Sequence, residues 1–279
     1  MFIRLAHLLL FGPDQTDNLV VQSYNRISTG YDQAWTNHMR GQSEELVRRL
    51  GIRPGEKVVD LTCGTGFVTN LIADHTGAKP IGVDRSEGML AQARANYPGR
   101  CEFVRADVLR YLKTTASGTL DVVTCCWGLG YSKPFAVLRE IKRVLKPGGK
   151  VGIIDNSIFS LAEVLYCSFL AFLECPAKLR NVMRFRFLTG RRQLEVYWRV
   201  LGMTPLDLWR GSKDYQVASG VEAIEKLRAT GAAAGFEYAA NAQDEKQVFD
   251  RFAEIIEQKY LHNNVIKITH RYLAGIARK

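Results

Sequence analysis

The sequence lacks the patterns that mark several common classes of protein. None of its six cysteines forms a C-x-x-C pair, none stands at zinc-site spacing from a histidine, and no repeat or low-complexity linker is present. Unpaired cysteines of this kind predict buried, reduced thiols in a cytosolic chain. Hydrophobic residues make up 47% of the chain and charged residues 24%, which excludes a disordered or fibrous protein.

Long apolar runs are also missing. The N-terminal run at residues 2–11 is short, contains Arg4 and His7, and is followed by no small-residue cleavage site, so we expect no signal peptide. The longest later run, residues 161–173, contains Glu163 and is too short to span a bilayer. These observations predict a cytoplasmic protein, with peripheral contact to a membrane as an open alternative.

Acidic residues are outnumbered by basic ones. The 38 lysines and arginines stand against 28 aspartates and glutamates, which gives a formal net charge of +10. An excess of this size fits an anionic partner such as nucleic acid, anionic lipid or a phosphorylated substrate, and does not distinguish among them.

Short apolar strands alternate with helices in the middle of the chain. Five strands are predicted there, at residues 57–61, 79–84, 101–107, 120–126 and 150–155. The intervening helices include one capped by Ser86 and one that begins at Pro134. This alternation predicts an α/β fold with a mostly parallel sheet that helices cover on both faces.

We divide the chain into four predicted segments. An N-terminal helical lid segment (1–55) precedes the ligand-binding strand–helix core (56–155). A helical insertion (156–218) follows the fifth strand, and residues 219–279 supply the C-terminal part of the sheet. Within that last segment we expect helices at 221–229 and 244–260 and strands at 235–238 and 272–277.

A glycine-rich turn follows the first predicted strand, at Asp60-Leu-Thr-Cys-Gly-Thr-Gly66. Glycines there allow backbone N–H groups to approach a ligand beside a helix N-terminus. Asp84 and Asp107 end the next two strands, and Cys126-Trp127 ends the fourth. Because ligands bind at the carboxyl ends of parallel strands, these residues predict a nucleoside-containing ligand. The alternative is that the acids merely cap helices.

A dinucleotide-dependent dehydrogenase is the obvious competitor for such a sheet. Its fingerprint requires a third glycine at position 69, where this chain has Thr69, and no Tyr-x-x-x-Lys pair follows the fourth strand. The residues therefore disfavour a dehydrogenase.

Taken together, these motifs resemble those of the class I S-adenosylmethionine-dependent methyltransferases. Within that family the chain is most similar to the ubiquinone/menaquinone C-methyltransferase type. Thr62 stands where the family usually has Gly or Ala; a β-branched residue stiffens the turn, and we expect it to be tolerated because two glycines remain. The matching segments are 58–66, 83–90, 106–108, 120–123 and 140–149, with an N-terminal motif at 23–32.

The resemblance implies a Rossmann-like, seven-stranded, mostly parallel sheet with helices on both faces, and S-adenosylmethionine as cofactor. It also implies a set of binding residues, which includes no metal ligand; metal dependence is left open. Asp60, Cys63, Gly64 and Gly66 would hold its amino-acid end. Asp84 would take the ribose hydroxyls. Around the adenine we expect Arg85, Met89, Asp107 and Val108. Cys126 and Trp127 would lie near the sulfonium, and Tyr24 and Tyr31 would close over the cofactor from the N-terminal helix.

Catalytic candidates are fewer, because the sulfonium is already a good leaving group and positioning supplies much of the rate. A base is needed only if the acceptor holds a proton. Tyr131 follows the fourth strand, Asp155 ends the fifth, and His38 lies in the lid segment. The alternative for Tyr131 is a packing role, and the alternative for His38 is a solvated position on a helix.

The insertion bears on the acceptor. Residues 158–173 are apolar almost all round, and the Lys178–Arg199 stretch that follows carries seven basic residues against Glu195. Apolar surface beside arginines suits an anionic membrane surface, or else a lid packed on the sheet. Both fit a hydrophobic small-molecule or lipid acceptor, such as a prenylquinone, a phospholipid headgroup or an aromatic metabolite.

Two alternatives remain open. The basic stretch permits an RNA or tRNA methyltransferase, although no Asn/Asp-Pro-Pro-Tyr-type motif follows the fourth strand and nucleic acid is disfavoured. A non-catalytic relative that binds S-adenosylmethionine would keep the same acids. The sequence leaves open the oligomeric state and whether carbon, oxygen or nitrogen is methylated.

Overall fold

The computed structural model describes residues 1–232 and 234–279. Within them, seven strands form one sheet in the order β3-β2-β1-β4-β5-β7-β6. The strands are β1 (Val58–Leu61), β2 (Ile81–Asp84), β3 (Glu102–Arg105), β4 (Leu120–Cys126), β5 (Leu145–Asn156), β6 (Thr204–Val217) and β7 (Ile266–Arg278). Strands β1 to β5 are parallel and β7 runs antiparallel to β5. The predicted mostly parallel, Rossmann-like sheet is therefore confirmed.

Eleven α-helices accompany the strands in the described residues. They are α1 (Phe2–Phe11), α2 (Thr16–Ile27), α3 (Asn37–Leu50), α4 (Phe67–Thr76), α5 (Glu87–Asn96), α6 (Val108–Thr114), α7 (Pro134–Val144), α8 (Ala162–Glu174), α9 (Arg191–Val200), α10 (Gly220–Ala229) and α11 (Glu245–Tyr260). The predicted starts are confirmed: Ser86 Oγ accepts the Met89 N–H at 3.2 Å, and Pro134 occupies the first turn of α7.

The chain forms two compact units. The sheet unit comprises residues 36–159, 185–211 and 271–279, and the helical unit comprises residues 1–35, 160–184 and 212–270. The boundaries fall inside β6 and β7, each of which contributes residues to both units. The division into four functional segments stays a prediction.

The sheet unit has apolar layers on both faces of its sheet, because successive strand residues point to opposite faces. Val59 and Val123 are paired neighbours that pack with α6, α7 and α9. Val58 and Val122, one residue earlier on each strand, pack with α3 and α4. A one-residue slip would reverse every side chain, so these two packed faces fix the register.

The helical unit has its own core. Apolar side chains of α8, α10 and α11 pack with the ends of β6 and β7, through residues such as Cys167, Leu227 and Phe252. A smaller cluster receives the inner face of α1 through Met1, Leu5 and Leu8. One face of α1 is thus held by this core.

Two local predictions were wrong. Residues 235–238 do not form a strand; Phe236–Tyr238 is a short 3-10 helix, because Gly235 takes φ +80° and turns the chain. Residues 204–217 are strand β6 rather than part of a helical insertion. This edge strand contains Pro205 and Gly211 and several charged residues, which are tolerated at sheet edges but weaken the strand pattern.

Candidate functional site

The turn between β1 and α4 is built from residues with left-handed backbone. Gly64 has φ +54° and Gly66 has φ +84°. A Cβ at Gly66 would lie 2.8 Å from the Phe103 ring, so only glycine fits, whereas a Cβ at Gly64 would meet nothing within 4 Å. The turn therefore packs tightly at Gly66 and leaves open space at Gly64.

Asp60 lies fully buried under this turn. Its two carboxylate oxygens accept hydrogen bonds from Thr124 Oγ1 at 2.6 Å and Thr69 Oγ1 at 2.7 Å. Burial raises the pKa of Asp60 to about 6, against the effect of the two hydroxyl groups. Thr69, which breaks the dinucleotide fingerprint, thus ties α4 to the end of β1. The predicted contact of Asp60 with a cofactor stays a prediction.

Asp84 reaches the same turn from the end of β2. One carboxylate oxygen accepts the Gly64 N–H at 2.9 Å and the other accepts the Ser86 N–H at 2.9 Å. Burial raises the pKa of Asp84, against the effect of these donors. The Arg85 N–H is a third backbone donor to this carboxylate, which still leaves acceptor capacity for a ligand hydroxyl.

Asp107 shows that the capping alternative is partly correct. Its Oδ1 accepts the Arg110 N–H at 3.0 Å and caps α6, while its Oδ2 lies 3.9 Å from Arg85 Nη1. The Asp107 side chain is 42% exposed. It therefore caps a helix and still presents an oxygen at the carboxyl edge of the sheet.

The end of β4 supplies another wall. Cys126 is buried, and burial raises the pKa of its thiol. Trp127 has φ +62°, and its Nε1 donates to Ser43 Oγ at 2.9 Å. Its ring meets Tyr272 edge-to-face at 5.8 Å between centroids. These contacts hold the indole at the start of the β4–α7 loop, residues 127–133.

Asp155 holds the next part of that loop. It is 1% exposed at the end of β5, and its Oδ2 accepts the Gly130 N–H at 2.7 Å. Its Oδ1 accepts the Asn156 N–H at 2.9 Å. Burial raises the pKa of Asp155 to about 7, against the effect of these two bonds. A carboxyl group that changes protonation near neutrality is suited to acid–base chemistry.

Tyr131 lies in the same loop, between two aromatic rings. Phe185 and Phe187 meet its ring edge-to-face, with centroids 5.4 and 5.3 Å away. The packing alternative for Tyr131 is thus observed, and its role toward an acceptor stays a prediction.

The remaining predicted residues fall in different surroundings. Met89 and Val108 are buried, so their side chains are packed in the protein rather than displayed. His38 is half-buried in the first turn of α3. Tyr24 and Tyr31 belong to the helical unit, where their rings meet edge-to-face at 5.9 Å. Their predicted closure over a cofactor stays a prediction.

One polar cluster was missed from the sequence. His270 is fully buried in the helical unit, with Tyr215 OH 2.5 Å from its Nε2 and Ser160 Oγ 3.4 Å from its Nδ1. Trp35 meets the imidazole edge-to-face at 4.9 Å. The partners lie at distant positions in the sequence, so no local pattern could have revealed them.

The fold and this edge of the sheet define a class of protein. A doubly wound sheet carries a glycine turn and four acids, Asp60, Asp84, Asp107 and Asp155, at the carboxyl ends of the parallel strands β1, β2, β3 and β5. This is the position at which open α/β sheets bind nucleoside-containing ligands.

Comparison with known proteins narrows the class. A methyltransferase domain family matches residues 58–149, and the protein-L-isoaspartate(D-aspartate) O-methyltransferase family matches residues 15–100. The demethylmenaquinone methyltransferase of Beutenbergia cavernae is 31% identical over 72% of this chain and 82% of that protein. The Lactococcus lactis enzyme of the same name is 29% identical over 81% of this chain and 91% of its own.

Other comparisons are more limited. Further demethylmenaquinone methyltransferases align over 52% to 62% of their own length. A phosphoethanolamine N-methyltransferase of Haemonchus contortus, solved with S-adenosylhomocysteine, shares the fold with a TM-score of 0.56 and 18% identity, over 90% of this chain and 57% of that one. The chain belongs to the class I S-adenosylmethionine-dependent methyltransferases.

S-adenosylmethionine is therefore the cofactor, and the residues of the site fit it. The open space at Gly64 lies at the N-terminal end of α4, where backbone N–H groups favour an anionic carboxylate. The acceptor capacity left on Asp84 suits a ribose hydroxyl.

Replacing Asp84 with alanine should weaken S-adenosylmethionine binding about 5- to 150-fold, because a charge-assisted hydrogen bond to the ligand and the Gly64 contact are both lost. Isothermal titration calorimetry measures the change. Glu87→Ala is the matched control, since Glu87 is an exposed acid three residues away that pairs with Arg94. Equal affinity in the two variants would contradict the assignment.

Proposed function

We propose that the chain methylates a hydrophobic aromatic acceptor of the prenylquinone type, in its reduced form. The observation that carries the proposal is the similarity to demethylmenaquinone methyltransferases over 72% and 81% of this chain, well beyond the cofactor-binding half. Phospholipid headgroups and other aromatic metabolites are the competing acceptors.

The sheet unit offers aromatic surface for such an acceptor. The Tyr131 ring packs with Phe185 and Phe187 in the loop region after β4. Phe187 also lines an open groove of about 500 Å³ together with Phe135, Leu188 and Tyr197. Flat aromatic and aliphatic walls suit a ring with a long hydrocarbon tail.

Methyl transfer to such an acceptor requires that the acceptor be aligned with the cofactor and that one group accept a proton. S-adenosylmethionine supplies an electrophilic methyl group when bound. Carbon methylation of a hydroquinone ring releases a ring or hydroxyl proton, so a base near neutrality is needed. Asp155, with a pKa of about 7 and a bond to the Gly130 N–H, is the residue we assign to hold that proton or to position the loop.

Incubation of the purified protein with S-adenosylmethionine and a demethylated menaquinol analogue tests the proposal. Mass spectrometry should show one methyl group on the reduced acceptor and little on the oxidised quinone. Parallel reactions contain tRNA, phosphatidylethanolamine vesicles or a catechol. If one of these compounds is methylated and the menaquinol analogue is not, that compound replaces the proposed acceptor. If the protein binds the cofactor but methylates none of them, the non-catalytic alternative is favoured.

We also propose that the chain takes its acceptor from a membrane surface, through the helical unit. No helix in residues 1–232 and 234–279 is long and apolar enough to cross a bilayer. The outer face of α1 exposes Phe2, Ile3, Leu10 and Phe11 by 71%, 88%, 74% and 77%. Exposed apolar side chains in this number commonly mark an interaction surface.

Helix α8 extends this apolar surface within the same unit. Leu165, Tyr166 and Leu173 are 47%, 47% and 44% exposed and follow one side of the helix. Phe169, on the same side, meets Phe2 of α1 with ring centroids 5.9 Å apart. We define the outer residues of α1 and α8 as the α1–α8 face.

Two arginines of the predicted basic stretch Lys178–Arg199 are engaged within the protein. Arg184 donates to the carbonyl oxygens of Leu8 and Gly12 at 3.2 and 2.8 Å, which caps the end of α1. Arg199 pairs with Glu195 at 2.8 Å. The helical unit contains 12 basic and 14 acidic residues, whereas the sheet unit contains 26 basic and 14 acidic residues. The basic excess of the chain therefore lies in the sheet unit. The α1–α8 face is therefore expected to adsorb by apolar contact rather than by charge.

A further inference from the structure

Thr62, the residue after β1, has an unusual backbone. Its φ is +57°, in the left-handed region that glycine tolerates and that a β-branched side chain rarely adopts. Glycine would adopt this conformation without the steric cost of a Cβ. Strain retained beside a binding site calls for a functional reason.

The Thr62 hydroxyl bridges two strands. It lies 2.5 Å from the carbonyl oxygen of Leu61, in β1, and 3.1 Å from that of Cys126, at the end of β4. One hydroxyl proton is thus shared between the ends of two neighbouring parallel strands. The side chain points across to β4 and not into the open space at Gly64.

Gly128 provides the space that the Thr62 side chain occupies. A Cβ at Gly128 would lie 2.6 Å from both Cβ and Cγ2 of Thr62 and 2.7 Å from its Oγ1. The φ of Gly128 is −147°, outside the left-handed region, so the contact with Thr62 rather than a positive φ accounts for a glycine here. Thr62 and Gly128 are therefore complementary in shape.

These contacts join two parts of the site that have different tasks. Thr62 precedes Cys63 and Gly64 in the cofactor turn, whereas Gly128 lies between Trp127 and Tyr131 in the β4–α7 loop. The far side of that loop is fixed by the bond between the Gly130 N–H and Asp155. Thr62 thus supplies the contact of the loop with the cofactor turn.

We propose that Thr62 is a positioning residue, which locks the cofactor turn against the acceptor-side loop through its hydroxyl and its contact with Gly128. The inference rests on the methyltransferase activity of the family and on the acceptor side proposed above. In-line methyl transfer requires the two reactants to be aligned, and a displacement of about 1 Å costs about 100-fold in rate. The strained threonine therefore serves alignment and not cofactor affinity.

Three substitutions separate the hydroxyl from the shape. Thr62→Ser keeps the hydroxyl, Thr62→Val keeps the shape without it, and Thr62→Gly removes both and relieves the backbone. We expect kcat to fall at least about tenfold for the valine and glycine variants and to stay within about threefold for serine. The dissociation constant for S-adenosylmethionine should stay within about threefold throughout. Unchanged kcat in the valine and glycine variants would overturn the proposal.

A second measurement does not depend on the acceptor. Amide hydrogen exchange in residues 127–130 should become at least about tenfold faster in Thr62→Gly, while exchange in α11 is unchanged. Gly128→Ala should yield little folded protein, because its Cβ would collide with Thr62. The double variant Thr62→Gly/Gly128→Ala should recover the yield of folded protein. If the wild-type protein does not methylate the quinol, the proposed acceptor is wrong. Whatever the acceptor, the role of Thr62 is overturned if amide exchange in residues 127–130 is unchanged in Thr62→Gly and the double variant does not recover folded protein.

Discussion

Asp155→Asn is expected to lower kcat by about 100-fold or more, the usual range for loss of a general base. The carboxylate accepts the Gly130 and Asn156 N–H groups with separate oxygens. An asparagine amide has one oxygen, so its NH₂ group would face one of these donors. The variant therefore loses both the proton-accepting group and part of the support for the β4–α7 loop.

The pH dependence of activity separates the two roles. If Asp155 accepts the proton, kcat/KM of the wild-type protein should rise with pH and level off above about 7. The residual activity of Asp155→Asn should lack that inflection. If Asp155 only positions the loop, the inflection should remain in the variant. Asp121→Asn, at the opposite end of β4, is the control, and a wild-type kcat for Asp155→Asn would contradict both roles.

The same group makes a prediction about stability. The folded pKa of Asp155, about 7, is above its unfolded value, so its contribution to stability is fully present below about pH 4 and is lost as pH rises through 7. The loss is about 4 kcal/mol, and Asp60, with a folded pKa of about 6, adds to it. Urea unfolding between pH 5 and 8 should show a smaller decline for Asp155→Asn than for wild type.

The sheet could be predicted because its signals are local. Alternating apolar strands, the Ser86 cap and the Pro134 start each depend on a few adjacent residues, and the acids that end strands follow from the strand positions. Strand β6 was missed because Pro205, Gly211 and four charged residues interrupt its apolar pattern, whereas β3, at the other edge of the sheet, contains neither proline nor glycine.

The site's finer structure could not be predicted, since it depends on pairs far apart in the sequence. The sequence showed that Thr62 departs from its family, but not that Gly128 leaves room for it. His270 gained its partners Tyr215 and Ser160 only through the fold. Conversely, the arginines after residue 178 suggested one charged surface, whereas Arg184 is used to cap α1.

Four substitutions on α1 are expected to release the protein from lipid vesicles. Changing Phe2, Ile3, Leu10 and Phe11 to serine or glutamine removes the most exposed apolar side chains of the α1–α8 face. Each is worth about 1.5–3 kcal/mol when fully buried, so even partial burial of four predicts at least about a 100-fold loss of partitioning. The inner residues Met1, Leu5 and Leu8 stay in place, so the helix should remain packed.

Vesicle flotation measures the effect, and two matched variants identify its cause. Val196→Ser with Val200→Ser removes exposed apolar residues of α9 in the sheet unit, and should leave binding unchanged. Changing Arg186, Arg191 and Arg192 to glutamine removes charge while keeping the Arg184 cap. Binding through the α1–α8 face should persist on zwitterionic vesicles and at high salt, because apolar contact is not screened. If the arginine variant or salt releases the protein and the α1 variant does not, charge rather than the apolar face holds it to the membrane.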